Sequence, residues 1–332
     1  MQWIISGNVI ELPDYRRINL VSSTDRYGFS SLLAERLGFL WPRRSFANWQ
    51  HGWIWWGASS SEELMMDGAL KEQSQFIVSK SAEYEVLRSE GFKNIWVGGL
   101  PFAYTEQSKF ARVAGSLLVM PMHSAEQTTK ATSDKLAKSL TDYLDFLESL
   151  KRQFSSVWIS IYYLDSSATL LDEIRRRGLF YIDGARPDDA NSLQRVRTIL
   201  NTFEFVTSNS IGSHIIYAMF SGCKVSIGGP EFAAGESDFV LDNLSSGLSK
   251  KYIENSVHYL SRGYLSDRFP YLLTDNPVEG FQSEEYARAE IGFYNRLANH
   301  DILDALQWGL LGQIKGYAAG GKRRVKRVFG YV

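Results

Sequence analysis

The sequence predicts an α/β protein built from two units, each a parallel sheet covered by helices, and three observations predict it. Short apolar runs that end in Gly, Ser, Asn or Asp alternate with longer amphipathic stretches. The connections between them are only a few residues long, which suits parallel strands joined by crossover helices. The chain has 332 residues, more than twice a typical domain of ~150.

In the first third, the strands are expected at Arg17 to Val21, Phe76 to Val78 and Ile95 to Gly98. Helices are expected at Ser30 to Leu37 and Ser81 to Glu90, with Ser79 or Ser81 as cap of the second. After Pro101 the stretch Tyr104 to Ala114 is polar and mixed in charge, which places a boundary there. The expected units are residues 1–113, 114–282, and a carboxyl-terminal part of helices and basic tail at 283–332. The second unit reads as strand Leu117 to Met120, helix Lys130 to Lys151, strand Val157 to Ile161, helix Ala168 to Arg177 and strand Phe180 to Ile182. Helix Ser192 to Asn201, strand Glu204 to Thr207, helix Ser213 to Ser221 and strand Lys224 to Ile227 follow, and Ser283 to Gln313 reads as one or two further helices.

Composition narrows the function classes. Hydrophobic residues make up 44% and charged residues 22% of the chain, so a disordered protein is excluded. A formal net charge of −1 leaves no whole-molecule basic field for nucleic acid. The single cysteine, Cys223, rules out an intramolecular disulfide and any multi-cysteine metal site, and reads as a buried thiol. No His-x-x-x-His or clustered carboxylate spacing stands out, so a metal-independent site without a cofactor is expected. The first residues have no signal-peptide pattern and no run of 18 apolar residues occurs, so a cytoplasmic location is expected.

The most informative segment is Phe203 to Pro230, where a strand ends in Thr207-Ser208-Asn209-Ser210, a helix starts near Ser213 after Gly212, and a second strand ends in Gly228-Gly229-Pro230. Amides and dipole at that helix start suit a phosphate, with hydroxyls from Thr207, Ser208, Ser210 and Ser213 and the imidazole of His214 beside them. A well-capped helix of any α/β protein has the same composition. The segment, with Tyr217-Ala218 and Gly222 before a valine strand, resembles the donor side of GT-B glycosyltransferases of bacterial surface-polysaccharide synthesis. That resemblance implies two Rossmann-like domains facing across a cleft, with the nucleotide of an activated sugar held by the second. The helix after Gly212 carries no carboxylate, unlike the glutamate pair of many retaining members, which points to inversion.

Gln50-His51-Gly52-Trp53-Ile54-Trp55-Trp56 is similar to segments of polysaccharide and polyol-phosphate transferases. There His51 is the candidate base for an acceptor hydroxyl, if its pKa lies near neutrality. A histidine within an aromatic cluster is the competing reading, and three tryptophans this close are more often core and rim than sugar platforms. Asp25, in Asp25-Arg26-Tyr27-Gly28, is the second catalytic candidate at the acceptor cleft, or part of an ordinary turn. His123 and Ser124 follow the first strand of the second unit and point by the sheet-edge rule to the donor phosphates or the leaving group, with a plain loop as the equal alternative. Glu231 is assigned to the donor sugar's hydroxyls or to plain surface solvation.

The carboxyl end carries Lys322, Arg323, Arg324, Lys326 and Arg327 among apolar residues, suited to an anionic membrane surface or to a solvated tail. The resemblance thus implies transfer of a sugar from a nucleotide-sugar donor to a glycan or lipid-linked acceptor, with no nucleic acid partner. A polyol-phosphate or sugar-phosphate transferase, and a catalytically silent glycan- or nucleotide-binding subunit, are the alternatives.

Overall fold

The computed structural model describes residues 2–5, 7–64, 75–123, 130–232, 235 and 250–318. The chain opens with an antiparallel hairpin of β1 (Gln2–Ile5) and β2 (Asn8–Glu11), followed by helix α1 (Phe29–Arg36). A parallel sheet follows, in the order β3 (Ala47–Trp49), β4 (Gln75–Val78), β5 (Ile95–Val97), with α2 (Ser81–Ser89) between the last two. The larger sheet comprises β6 (Val113–Val119), β7 (Ser156–Ile161), β8 (Phe180–Asp183), β9 (Phe203–Ser208) and β10 (Lys224–Ile227). Its order is β10-β9-β6-β7-β8, and every pair is parallel. The α/β class and its parallel sheets are those the sequence rhythm predicts.

The central strand shows why. Leu117, Leu118 and Val119 are all fully buried, and their side chains alternate between two cores, as a pleat requires. Leu117 and Val119 pack with Leu140, Tyr143, Leu144 and Leu147 of α3 (Lys130–Leu150), whose three- and four-residue spacing puts them on one helical face. Leu118 packs on the other side with Ile199 of α5 (Ser192–Thr202) and Ile215 and Ile216 of α6 (Ser213–Phe220). The strand is thus covered by helices on both faces, and α4 (Ala168–Arg176) adds Ile174 to the α3 side.

Two local expectations are corrected. Arg17 to Val21 is not a strand: only Arg17 pairs, in a single bridge to Asp189, while Leu20 and Val21 lie exposed and the Val21 amide donates to Asp25. The strand of the first sheet is instead Ala47–Trp49, too short to carry any periodicity. Neither Ser79 nor Ser81 caps α2; the N-cap is Lys80, and Glu83 reaches back to accept the Ser79 and Lys80 amides and the Ser79 hydroxyl. Cys223 is buried as expected, and burial pushes its thiol pKa up.

The two sheets share one continuous apolar core. Phe102, after β5, stacks on Tyr217 of α6 at 4.1 Å, and Trp49 and Ile77 belong to the same cluster as Ile215 and Ile216. Beyond β10 come α7 (Lys250–Leu260), α8 (Arg262–Arg268), α9 (Glu284–Glu290), α10 (Asn299–Ala305) and α11 (310–318). The chain then returns to the first sheet: Leu100 N–H donates to Ile291 O, the Asn295 amide to Ser79 O and the Trp308 indole to Ser45.

A second tie runs through Gly28. Its φ is +76°, and a Cβ there would lie 2.1 Å from the Ala190 carbonyl oxygen in the loop after β8. Gly28→Ala is therefore expected to destabilise the protein by more than about 1 kcal/mol, the level at which an incompatible backbone costs more than the entropy it saves. Chemical denaturation checks this; an unchanged midpoint would show that the loops can part freely.

Candidate active site at the facing sheet edges

In an open parallel sheet, ligands sit beyond the carboxyl ends of the strands where the order reverses. Here β6 lies between β7 and β9, so the reversal falls between β6 and β9. The loops after these two strands are joined directly: Met122 N–H donates to Asn209 Oδ1 at 2.9 Å. His123 follows in the first loop, exposed and stacked on Tyr162 at 4.2 Å, and its field reaches His214 at the start of α6.

The loop after β3 comes to the same place from the other sheet. Trp53 N–H donates to Ser213 Oγ at 2.9 Å, and the Tyr217 hydroxyl donates to the His51 carbonyl at 3.0 Å. A Cβ on Gly52 would stand 3.1 Å from Ser213 Oγ, so this close approach favours glycine. His51, Ser213, His214 and Tyr217, drawn from sequence positions 51 and 213–217, thus form one cluster with Arg26 and Tyr27, whose charge or hydroxyl is felt by His51 and Tyr217 respectively. Tyr27 sits in the left-handed region at φ +58°, held by its N–H to Pro187 O at 2.8 Å. Arg26 and Tyr27 lay inside the noted Asp-Arg-Tyr-Gly turn, yet only the fold aims them at this cluster.

Both imidazoles are buried enough to stay neutral. Burial lowers His51 to about 4, with the Arg26 charge in the same direction and a hydrogen bond to the Ser23 backbone opposing. Burial likewise lowers His214 to about 4, helped by His123. The Nε2 atom of each is buried without a hydrogen-bond partner. The expectation of a near-neutral His51 is therefore corrected. The cavity lined by Ser23, Gln50 and His51 measures about 20 Å³. Its walls run from Ser23 through Asn48 to His51, Phe76 to Val78 and Leu87, all in the first unit, and it is far smaller than the ~300–1,000 Å³ usual for a ligand pocket.

The other predicted residues divide between site and scaffold. Thr207 and Ser208 are fully buried; the Thr207 hydroxyl pairs with Ser226, and Ser208 Oγ accepts the Ser210 amide. Both hydroxyl oxygens act as acceptors inside the fold. Ser210 is buried with its hydroxyl directed to Ile211 O, Ser213 Oγ holds Trp53, and Asn209 braces the β6 loop. Gly212 precedes α6, and its carbonyl accepts the Ile215 amide of the first turn at 3.0 Å. Asp25 accepts the amides of Val21 and Ser22 and the hydroxyls of Ser22 and Ser30 at 2.6–3.1 Å. Those four bonds make it the brace of its own turn rather than a free base. Glu231 accepts the Arg262 N–H at the start of α8, 3.2 Å away. Ser124 lies outside the described residues.

Residues the sequence did not single out hold the β3 loop. Glu290 on α9 accepts the Trp53 indole at 2.7 Å and Lys80 Nζ at 2.9 Å, and Gln50 bridges to buried Glu83. Trp55 donates to Tyr259 O and Trp56 to Glu63, so the indole N–H groups of all three tryptophans serve the scaffold. No periodicity could point to these partners, which lie up to 237 positions apart in the chain. Among the described residues, no group of three or more His, Cys, Asp or Glu side chains could hold a metal ion.

Fold and crevice define an α/β protein whose two parallel sheets meet through their carboxyl-terminal loops. No protein-family model matches the chain, and no curated protein matches it either. Among solved structures it is similar to a variant of S. aureus TarM in complex with Fondaparinux, alpha-GlcNAc-glycerol and UDP, at 14% identity and a TM-score of 0.29, over 70% of this chain and 42% of that one. It is also similar to the pneumococcal O-GlcNAc transferase GtfA in complex with UDP and GlcNAc (16%, 0.29, 74% and 45%). A third is Os79 from O. sativa in complex with UDP (10%, 0.28, 65% and 49%). The chain spans less than half the length of each of these three proteins.

The buried histidines set a pH dependence. Their folded pKa values lie below the ordinary 6.5, so between about 6.5 and 4 the unfolded chain binds more protons than the folded one. Stability is then expected to fall as pH drops through that window. Melting temperatures of the protein and of a His51→Gln, His214→Gln double variant, measured from pH 7 to 4, check this: the variant's curve should be flatter.

Proposed function

We propose that the chain is a GT-B-like glycosyltransferase. It transfers a sugar from a nucleotide-sugar donor to a glycan or lipid-linked acceptor, by inversion and without a metal. The observation that carries this reading is the meeting of the His51 loop of one sheet with the start of α6 at the reversal point of the other. In this reading the Ser213 and His214 amides at the start of α6, with Arg26 across the crevice, hold the donor diphosphate, and fixed N–H donors stabilise the charge of the departing nucleotide. This reading gives the phosphate contacts to backbone amides and one guanidinium rather than to the Thr207 and Ser208 hydroxyls.

His51 is the proposed base. At pH 7 its imidazole is neutral and carries a lone pair, and the approach of a diphosphate raises its pKa toward the useful range. Loop separation on donor binding uncovers Nε2. The alternative of a polyol-phosphate transferase uses the same base with a phosphoryl acceptor, and no observation favours it.

Thermal shift with UDP, GDP, dTDP, CDP and CMP identifies the donor nucleotide, since a ligand of the native state raises its stability by mass action. Arg26→Ala is expected to weaken diphosphate binding roughly 10- to 100-fold, the size of one lost charged hydrogen bond. His51→Ala is expected to lower turnover about 10²- to 10⁴-fold with donor affinity nearly kept. A stable His51→Ala protein with normal turnover would sink the assignment, and a chain that binds nucleotide but transfers nothing would be a silent subunit.

A further inference from the structure

Helix α11 is mounted with its faces reversed. Gly312, Gln313 and Gly316 form the face turned to the protein: a Cβ on Gly316 would meet the Phe46 ring at 2.4 Å, a Cβ on Gly312 would meet Gln307 O at 2.7 Å, and Gln313 donates to Arg44 O at 2.8 Å. Leu310, Ile314 and Tyr317, at spacings of four and three, therefore point outward with Leu311, and these four side chains are 57–75% exposed. The usual order, apolar face inward, would have buried them.

The neighbouring loop extends the patch. Leu40 is 91% and Trp41 70% exposed, and the loop is tied to the same end of the molecule by Phe39 against Trp308 and by Arg43 to Trp308 O. Clustered exposed apolar side chains of this size mark an interaction site rather than ordinary surface. Their charge surroundings indicate which kind. Arg43, Arg44 and Lys315 are exposed within the patch, and no carboxylate occurs from Arg36 to Phe46 or from Ala305 to Val332. The sequence beyond α11 adds five more cations between Lys322 and Arg327.

We propose that the outward face of α11, with Leu40 and Trp41, is a docking surface for an anionic lipid bilayer. The apolar side chains enter the interface and the arginines and lysines meet the headgroups. Among the described residues no helix is long and apolar enough to cross a membrane, so the surface lies on the bilayer instead of spanning it. The inference is independent of the sugar-transfer reading, and its test reads partition instead of turnover.

Sedimentation of the full chain with vesicles of phosphatidylcholine alone, or with about one third phosphatidylglycerol, measures it. Binding is expected to the anionic vesicles only and to weaken with salt. The Leu310→Glu, Ile314→Glu variant, whose positions are solvent-facing, should lose at least tenfold in partition with an unchanged melting temperature. Unchanged binding by that variant would overturn the proposal and assign binding to the basic tail alone. Equal binding to neutral vesicles, or none to either, would also overturn it. So would a wild-type dimer in light scattering that the variant dissolves, because a second copy would then cover the face.

Discussion

The hydrogen bonds from Trp53 N–H to Ser213 Oγ and from the Tyr217 hydroxyl to His51 O join two parallel sheets at their carboxyl-terminal edges, and the rest of the candidate site depends on that joint. Each sheet alone would present a row of loop ends to water. Joined, they enclose two imidazoles whose Nε2 atoms have no partner, and burial holds both neutral. A buried polar atom left unpaired costs ~1–3 kcal/mol. A structure that keeps these two unpaired stores a demand for hydrogen bonds that a ligand can meet.

The scaffold around the joint is polar and distant in sequence. Glu290 steadies Trp53, Glu83 and Gln50 brace the end of β3, and Asp25 closes the turn that carries Arg26 and Tyr27. None of these carboxylates is free to act on a substrate in this arrangement. Their work is positional: they hold a short loop with few apolar contacts of its own, and so fix where His51 and Arg26 stand relative to α6. The apolar core beneath, continuous from Trp49 through Phe102 to Ile215, makes the two sheets one packed body rather than two loosely hinged ones.

The large sheet could be read from the sequence because its central strand is buried on both faces. Three consecutive apolar residues, Leu117 to Val119, leave few alternatives to a covered parallel strand, and the amphipathic period of 130–150 supplies the cover. Ala47–Trp49 carried no such mark; its strand character comes from pairing with β4, a tertiary fact. The apolar run ending at Val21 misled for the opposite reason, since local composition cannot say that Leu20 and Val21 will face water.

The sequence by itself determined the α/β class, the succession of elements in the second unit, and the loop 207–214 and His51-Gly52 as places of interest. Those follow from periodicity and backbone chemistry, which act over a few residues. Only the tertiary structure decided which polar groups face the crevice. Thr207 and Ser208 turned inward because β9 is an interior strand and its hydroxyls found partners in the sheet, while Asp25 was claimed by four donors of its own turn. His51 and His214 lost their charge at neutral pH because desolvation depends on what packs around a group and no spacing along the chain encodes it.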